Sequence, residues 1–249
     1  MLQCDVVNLR QFYSSALGQC VRRDIGRAIN RMWGKEDITS GFAGMGFALP
    51  YLRSFLERME TPLLSIMHAE MGAMYWPADT ENHTVLCKET EMPLQNNTLS
   101  HALLCHHAEH SAHINNLLKE LHRVLKPGGK ALVIVPNRMG RWAAKDNTPF
   151  GAGHPYHIAQ MKHRAQMHGL TYVRADTALF YSPKQWRIII KISSFVERLG
   201  KLALPNFGGV LLIELEKQIY ASIPEKGTTI KIPMLHPVPS PQPSGRQQS

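Results

Sequence analysis

The alternation of apolar and polar positions is most regular between Met92 and Asn137. Met92-Pro93-Leu94-Gln95-Asn96-Asn97-Thr98 is a polar, turn-rich loop with one proline. Ala102-Leu103-Leu104-Cys105 is a short apolar run of the kind buried on both faces of a parallel sheet. His106 to His113 is polar. Ile114, Leu117, Leu118, Leu121, Val124 and Leu125 then recur at helical spacing and form one apolar stripe. Lys126-Pro127-Gly128-Gly129 stops that helix, because proline cannot continue it and glycine accepts the positive φ of the turn. Ala131-Leu132-Val133-Ile134-Val135 is the next strand, ended by Pro136-Asn137. Strand, helix and strand in succession make a βαβ unit with parallel strands and a right-handed crossover.

The same reading extends to the rest of the chain. Residues 6–17 form a short docking segment, with Phe12 and Tyr13 packing on the flank of the domain. A helix over Gln19–Trp33 has Val21, Ile25, Ala28, Ile29 and Met32 on its apolar face. Arg23, Arg27 and Arg31 make a row on the opposite face, either solvated or turned to an acidic partner. Ile38 to Ala48 is a first strand with the turn that follows it, leading to a helix over Tyr51–Met59. Leu63–Met67 and Thr84–Cys87 are further strands, with Met74-Tyr75-Trp76-Pro77 an aromatic packing edge between them. Arg138 to His154 is a loop rich in basic, aromatic and glycine residues, among them Arg141, Trp142, Phe150, Gly151 and Gly153, at the end of the sheet where loops commonly cover substrate; it precedes a helix over Tyr156–His168, capped by Gly169. Strands over Leu170–Tyr181 and Gly209–Lys217 flank a basic amphipathic helix, Gln185–Leu204. After residue 222 the chain turns to Pro, Ser and Gln, the composition of a disordered tail. The organisation expected is a docking segment (1–18), a main domain (19–222) and the tail (223–249).

A chain of 249 residues is long enough to bury one sizeable core. Its net charge of +9 is concentrated at Arg22–Lys35, Arg138–Arg164 and Lys184–Lys201. A basic surface favours polyanions such as nucleic acid, but it equally serves solubility, so charge alone selects no partner. No run approaches the roughly 20 apolar residues of a membrane helix. The first residues lack the layout of a signal peptide. Cys4, Cys20, Cys87 and Cys105 show neither disulfide nor metal spacing, which fits a reducing cytoplasm. His101, His106, His107, His110 and His113 form a histidine-rich run. His106 and His110 stand one helical turn apart and would suit a metal if helical, but no His-Glu-x-x-His arrangement exists. The reading adopted is polar capping, one ligand-facing histidine and no metal.

Met92-Pro93-Leu94, Thr98-Leu99-Ser100, the turn through Glu109-His110 and Arg123-Val124-Leu125-Lys126-Pro127-Gly128-Gly129 follow one another at fixed spacing. In these motifs the chain resembles the second half of a class I S-adenosylmethionine-dependent methyltransferase, of the small bacterial type 11 sort. The resemblance implies a doubly wound α/β fold: a seven-stranded, mostly parallel, Rossmann-like sheet with an antiparallel edge strand. It implies S-adenosylmethionine as cofactor, held by Gly44, Gly46, Phe47, Ala48, Glu89, Met92 and His106. The family's glycine triplet falls on Gly46, Ala48 and Pro50 in one register, and on Gly44, Gly46 and Ala48 in the other. The first is preferred, because Pro50 suits the first position of a helix.

The chain departs from the family at several acids. Met67 and His68 stand where a ribose-binding acid ends the second strand, Lys88 where an Asp approaches adenine, and Ser100 where an Asp precedes the fourth strand. Two functions therefore follow. One is methyl transfer to an unidentified acceptor, with Arg141, His154, Tyr156 and His157 near the acceptor by location and no catalytic residue assigned. The other is a methyltransferase fold that binds a partner and does no chemistry.

Overall fold

A computed structural model describes residues 4–145, 148–183 and 207–218. The helix expected over Gln185–Leu204 and the tail from residue 223 lie outside the described residues. The described residues all belong to one compact unit, residues 1–219.

Two helices open the chain. α1 (Val6–Ser14) begins where Asp5 accepts a hydrogen bond from the Asn8 backbone N–H at 2.8 Å. α2 (Ala16–Trp33) begins where the Ser15 hydroxyl accepts from Gly18 N–H at 3.1 Å. Ser15 thus ends one helix and caps the next. Gly18 is required at this corner, since a Cβ there would collide with the carbonyl of Phe12. The strands and helices that follow are β1 (Phe42–Gly46), α3 (Leu49–Leu56), β2 (Leu64–His68), β3 (Thr84–Cys87), β4 (Leu99–Cys105), α4 (Ile114–Val124) and β5 (Leu125–Pro136). Then come α5 (Pro149–Ala152), α6 (Ile158–Met167), β6 (Leu170–Ala178) and β7 (Val210–Lys217).

The seven strands form one sheet in the order β3-β2-β1-β4-β5-β7-β6. β1 through β5 pair in parallel, and β7 runs antiparallel to both β5 and β6. The antiparallel strand thus lies one place in from the edge, with β6 outermost. Side chains alternate with the period of the pleat. Phe42, Leu103, Cys105, Leu132, Ile134 and Leu212 face a core shared with α1, α2 and α3. Ala43, Met45, Leu104, Val133, Val135 and Ile213 face the other core, with α4 and α6. The product is a three-layer α/β/α sandwich.

Several expected boundaries move for identifiable reasons. α3 starts at Leu49, so Pro50 is its second residue rather than its first. β4 extends back to Leu99 and β5 back to Leu125. Lys126-Pro127-Gly128-Gly129 is therefore an irregular entry to a strand, with a register shift opposite Leu99/His101 and Gly128 at φ 75°. α6 is shorter than expected, because Tyr156 is held in a bridge to Asn137 before the helix begins. Trp142 and Phe150, expected in a loop over substrate, are fully buried, and the Trp142 indole donates to Tyr181 O at 2.6 Å. The arginine row of α2 is paired: Arg23 and Arg27 flank buried Asp24, and Arg31 meets Asp176 at 2.9 Å.

A charged network fastens α2 to the sheet at the end opposite the β4–α4 turn. Glu214 of β7 is wholly buried. It accepts from the Trp33 indole at 3.1 Å and pairs with Arg174 of β6, whose guanidinium also donates to Met32 O at 2.6 Å. Lys130 meets Glu36 at 2.9 Å. His101 packs edge-on against Trp33 within this network, and burial pushes its imidazole down to about 4.

Two predictions follow from this network. Arg174→Met removes the nearer of two cations from buried Glu214, leaving Lys130 at 3.9 Å, and should destabilise the fold by about 1–3 kcal/mol; an unchanged urea midpoint would show that Trp33 and Lys130 suffice. His101 enters the fold neutral and is protonated more readily in the unfolded chain. Its contribution therefore falls as pH drops from about 6.5 toward 4. Unfolding free energies measured across that window should rise with pH, and should rise less in His101→Gln.

Candidate functional site

In an open α/β sheet, ligands bind beyond the carboxyl ends of the strands, where the strand order reverses. Here the reversal lies between β1 and β4: β1 leads outward to β2, and β4 outward to β5. The two strands are stitched at their ends by Phe47 N–H donating to Cys105 O at 2.8 Å. Two left-handed residues make this possible, Gly46 (φ 70°) and His106 (φ 50°). A Cβ on Gly46 would meet Cys105 O at 2.5 Å, so glycine is required there.

A cavity of about 440 Å³ opens beside this stitch. The end of β2 and its turn contribute His68, Glu70 and Met71; the loop after β3 contributes Lys88, Glu89 and Thr90. The turn after β4 contributes His106, His107 and His110, and Cys4 closes the cavity from the N-terminal side. Its walls hold polar atoms with no hydrogen-bond partner, both nitrogens of His107, His106 Nδ1, His110 Nε2 and Ser111 Oγ, and behind them both oxygens of buried Glu109 are also unpartnered. His107 Nε2 stands 3.5 Å from Glu89, and His106 Nδ1 stands 3.2 Å from Glu109. Burial lowers the His107 imidazole to about 4 and also lowers His110, so these rings are neutral near pH 7.

α1 reaches into this end of the sheet. Tyr13, expected on the flank, is buried at its centre. Its ring stacks on Phe47 at 5.8 Å, and its hydroxyl lies 2.9 Å from His106 Nε2 and 3.1 Å from Tyr51 Oη. Val6 N–H donates to Met71 O at 2.9 Å and ties the start of the helix to the turn after β2.

Of the residues singled out in the sequence, Glu89 and His106 line the cavity. Gly44, Gly46, Phe47 and Ala48 do not. The space beside Gly44 is filled by Leu52 and Ala48, that beside Gly46 by the β4 turn, and Phe47 is covered by Tyr13. Met92 is buried on the other face, its N–H donating to Glu120 at 3.1 Å. Of the acceptor-side candidates, Tyr156 is buried with its hydroxyl donating to Ala108 O at 3.3 Å, and His154 packs on its ring. His157 sits at the N-cap of α6. Cys4, Glu70, His107 and His110 were not read as a group. The histidine run signals His107 and His110, and Glu70 stands close to the place of the family's ribose-binding acid, but Cys4 is brought in by a helix whose docking no local pattern announces.

The strand order and the cavity at its reversal define a class I methyltransferase-like fold. The comparisons agree. The profile of a family described as "Methyltransferase domain" matches residues 48–133. A SAM-dependent methyltransferase of Thermotoga maritima superposes with a TM-score of 0.57 at 12% identity, covering 86% of this chain and 96% of that one. One from Archaeoglobus fulgidus gives 0.55 at 14% identity, covering 79% and 94%. The geranyl diphosphate C-methyltransferase of Streptomyces coelicolor gives 0.53 at 13% identity, covering 77% of each chain. No curated protein sequence matches. At these identities the structural likeness is one of fold, and the family match covers residues 48–133. Among the described residues no helix is long and apolar enough to cross a membrane.

If Tyr13 locks α1 over the stitch, Tyr13→Phe leaves His106 Nε2 without a partner in a dry site. The expected cost is about 1–3 kcal/mol in urea unfolding. A variant as stable as the parent would mean that the hydroxyl contributes nothing to docking.

Proposed function

We propose that this protein transfers a methyl group from S-adenosylmethionine to an acceptor. The observation that supports the reading is the partly polar cavity at the β1/β4 reversal, reached by the turns after β2, β3 and β4. Bound S-adenosylmethionine supplies an electrophilic methyl group on a sulfonium. The cavity's residues fit the adenosine end of that molecule. The carboxylates of Glu70 and Glu89 can accept hydrogen bonds from ribose hydroxyls or an adenine amine, two residues beyond β2 and in the loop after β3. They supply acids close to the places where Met67, His68 and Lys88 depart from the family pattern. The unpartnered nitrogens of His107 supply further polar partners.

The glycine turn contributes differently from the family pattern. Its close approach is to Cys105 and His107 rather than to open space, so it shapes the wall and does not itself line it. Catalysis in such a site rests on orientation: the chain holds the methyl carbon in line with the acceptor and excludes water. Four free thiols suit a reducing compartment. The comparisons lend no support to the alternative of a partner-binding protein without chemistry.

Titration calorimetry of the folded protein with S-adenosylmethionine and S-adenosylhomocysteine should give saturable binding. Glu70→Gln and Glu89→Gln should each weaken it by about tenfold or more, the equivalent of one lost hydrogen bond to a charged group. Absence of heat at millimolar ligand, with the circular dichroism of a folded protein, would sink this reading.

A further inference from the structure

The cavity contains a second constellation that methyl transfer does not use. Cys4, His106 and His110 each offer one ligand atom, and these atoms lie within 4.8 Å of one another. We propose that Cys4, His106 and His110 bind a zinc ion that clasps the N-terminal segment to the turn after β4. The proposal stands independently of the methyl-transfer reading.

Four observations support it. First, the donor set is right for the metal: one thiolate and two imidazoles make three legs of a tetrahedral zinc site. Second, His106 is wholly buried, and its two nitrogens are differentiated. Nε2 meets the Tyr13 hydroxyl at 2.9 Å, whereas Nδ1 has no hydrogen-bond partner. Nδ1 faces the Glu109 carboxylate at 3.2 Å, and a partner on one ring nitrogen with the other turned to the site is the usual outer-shell arrangement of a metal-bound histidine. His110 likewise has an unpartnered, buried Nε2.

Third, Glu109 is nearly inaccessible, and neither of its carboxylate oxygens accepts a hydrogen bond. It stands 3.2 Å from His106 Nδ1 and acts on the Cys4 thiol through its charge. A buried carboxylate beside a thiol and the neutral His110 imidazole is a costly arrangement without a cation. A divalent cation neutralises it, and Glu109 or a water completes the coordination. Fourth, Cys4 is not loosely placed. Asp5 caps α1 and Val6 N–H is tied to Met71 O, so the backbone on the C-terminal side of the thiol is fixed.

A cysteine binds zinc as its thiolate, so the metal must displace the thiol proton of Cys4. Zinc uptake therefore releases a proton and weakens as pH falls. The turn carrying His106 and His110 is not a helix, so the pair meets through the left-handed conformation of His106 rather than through helical spacing.

The test uses the full chain with any affinity tag removed, stripped with chelator and titrated with Co²⁺ as a spectroscopic stand-in. One equivalent should develop intense tetrahedral d–d bands and a thiolate-to-cobalt charge-transfer band, both displaced by Zn²⁺. Cys4→Ser should abolish the charge-transfer band. His110→Ala should weaken metal binding by more than the roughly 10–100-fold typical of an outer-shell change. Neither variant touches the Tyr13–His106 contact, and circular dichroism checks that each folds. No charge-transfer band in the parent protein, or a band that survives in Cys4→Ser, overturns the proposal. S-adenosylhomocysteine calorimetry on the same samples separates the two readings, since loss of that heat with the cobalt spectrum intact counts against methyl transfer alone.

Discussion

The hydrogen bond from Phe47 N–H to Cys105 O is the constraint on which the rest of this end of the molecule depends. It joins the ends of β1 and β4 at the one place where a doubly wound sheet opens, because the chains leaving those strands diverge to opposite flanks. Closing it needs two left-handed residues, and the sequence provides Gly46 on one side and His106 on the other. Glycine adopts that conformation without penalty; histidine does so only where its surroundings hold it. Those surroundings are Tyr13 on Nε2 and the ring of Phe150 at 4.6 Å. The stitch therefore fixes three things at once: the path into α3, the direction of the histidine turn and the seat of α1.

From that seat the cavity acquires its character. α1 fills the space over the glycine turn that would otherwise be open, and it brings Cys4 into reach of His106 and His110. The ligand space is thereby displaced toward β2 and β3, where Glu70 and Glu89 stand. In this fold an acid at the strand's end and an acid two residues later serve the same geometry only if the turn curls back, and the bonds from Met71 and Gly72 N–H to His68 O show that the turn after β2 does so. The departures at Met67, His68 and Lys88 are in that sense accompanied by acids nearby.

Local pattern made the sheet legible. The period-2 and helical runs between Ala102 and Val135 correctly announced β4, α4 and β5, because each buries a face that its own sequence defines. Pairing over long range was not legible. Tyr13 lies 93 residues from His106, and nothing in residues 6–17 distinguishes a ring on the flank from one at the centre. Trp142 and Phe150 read as loop aromatics because their partners, Tyr181 and His106, are remote in sequence. The histidine run was visible as composition, but which nitrogens are satisfied depends on Tyr13, Glu89 and Glu109. The Lys-Pro-Gly-Gly segment read as a helix stop, which it is, yet its entry into β5 depends on Leu99 beside it.

The two ends of the sheet treat buried polarity in opposite ways. At the end held by α2 the buried carboxylates are paired: Glu214 has Trp33 and Arg174, Glu36 has Lys130, and Asp24 has Arg23 and Tyr181, although the imidazoles of His101, His122 and His168 each keep an unpartnered Nε2. At the other end His106, His107, His110, Glu109 and Ser111 all retain unpartnered atoms in the same small volume. Each such atom costs on the order of 1–3 kcal/mol in a dry setting, while a whole domain is stable by only about 5–15 kcal/mol. A chain that satisfies buried charge so thoroughly at one end does not tolerate that cost at the other without return. Of the thirteen unpartnered buried side-chain atoms among the described residues, seven gather in the one turn beside the cavity, which is the concentration expected of groups whose partners arrive with a ligand.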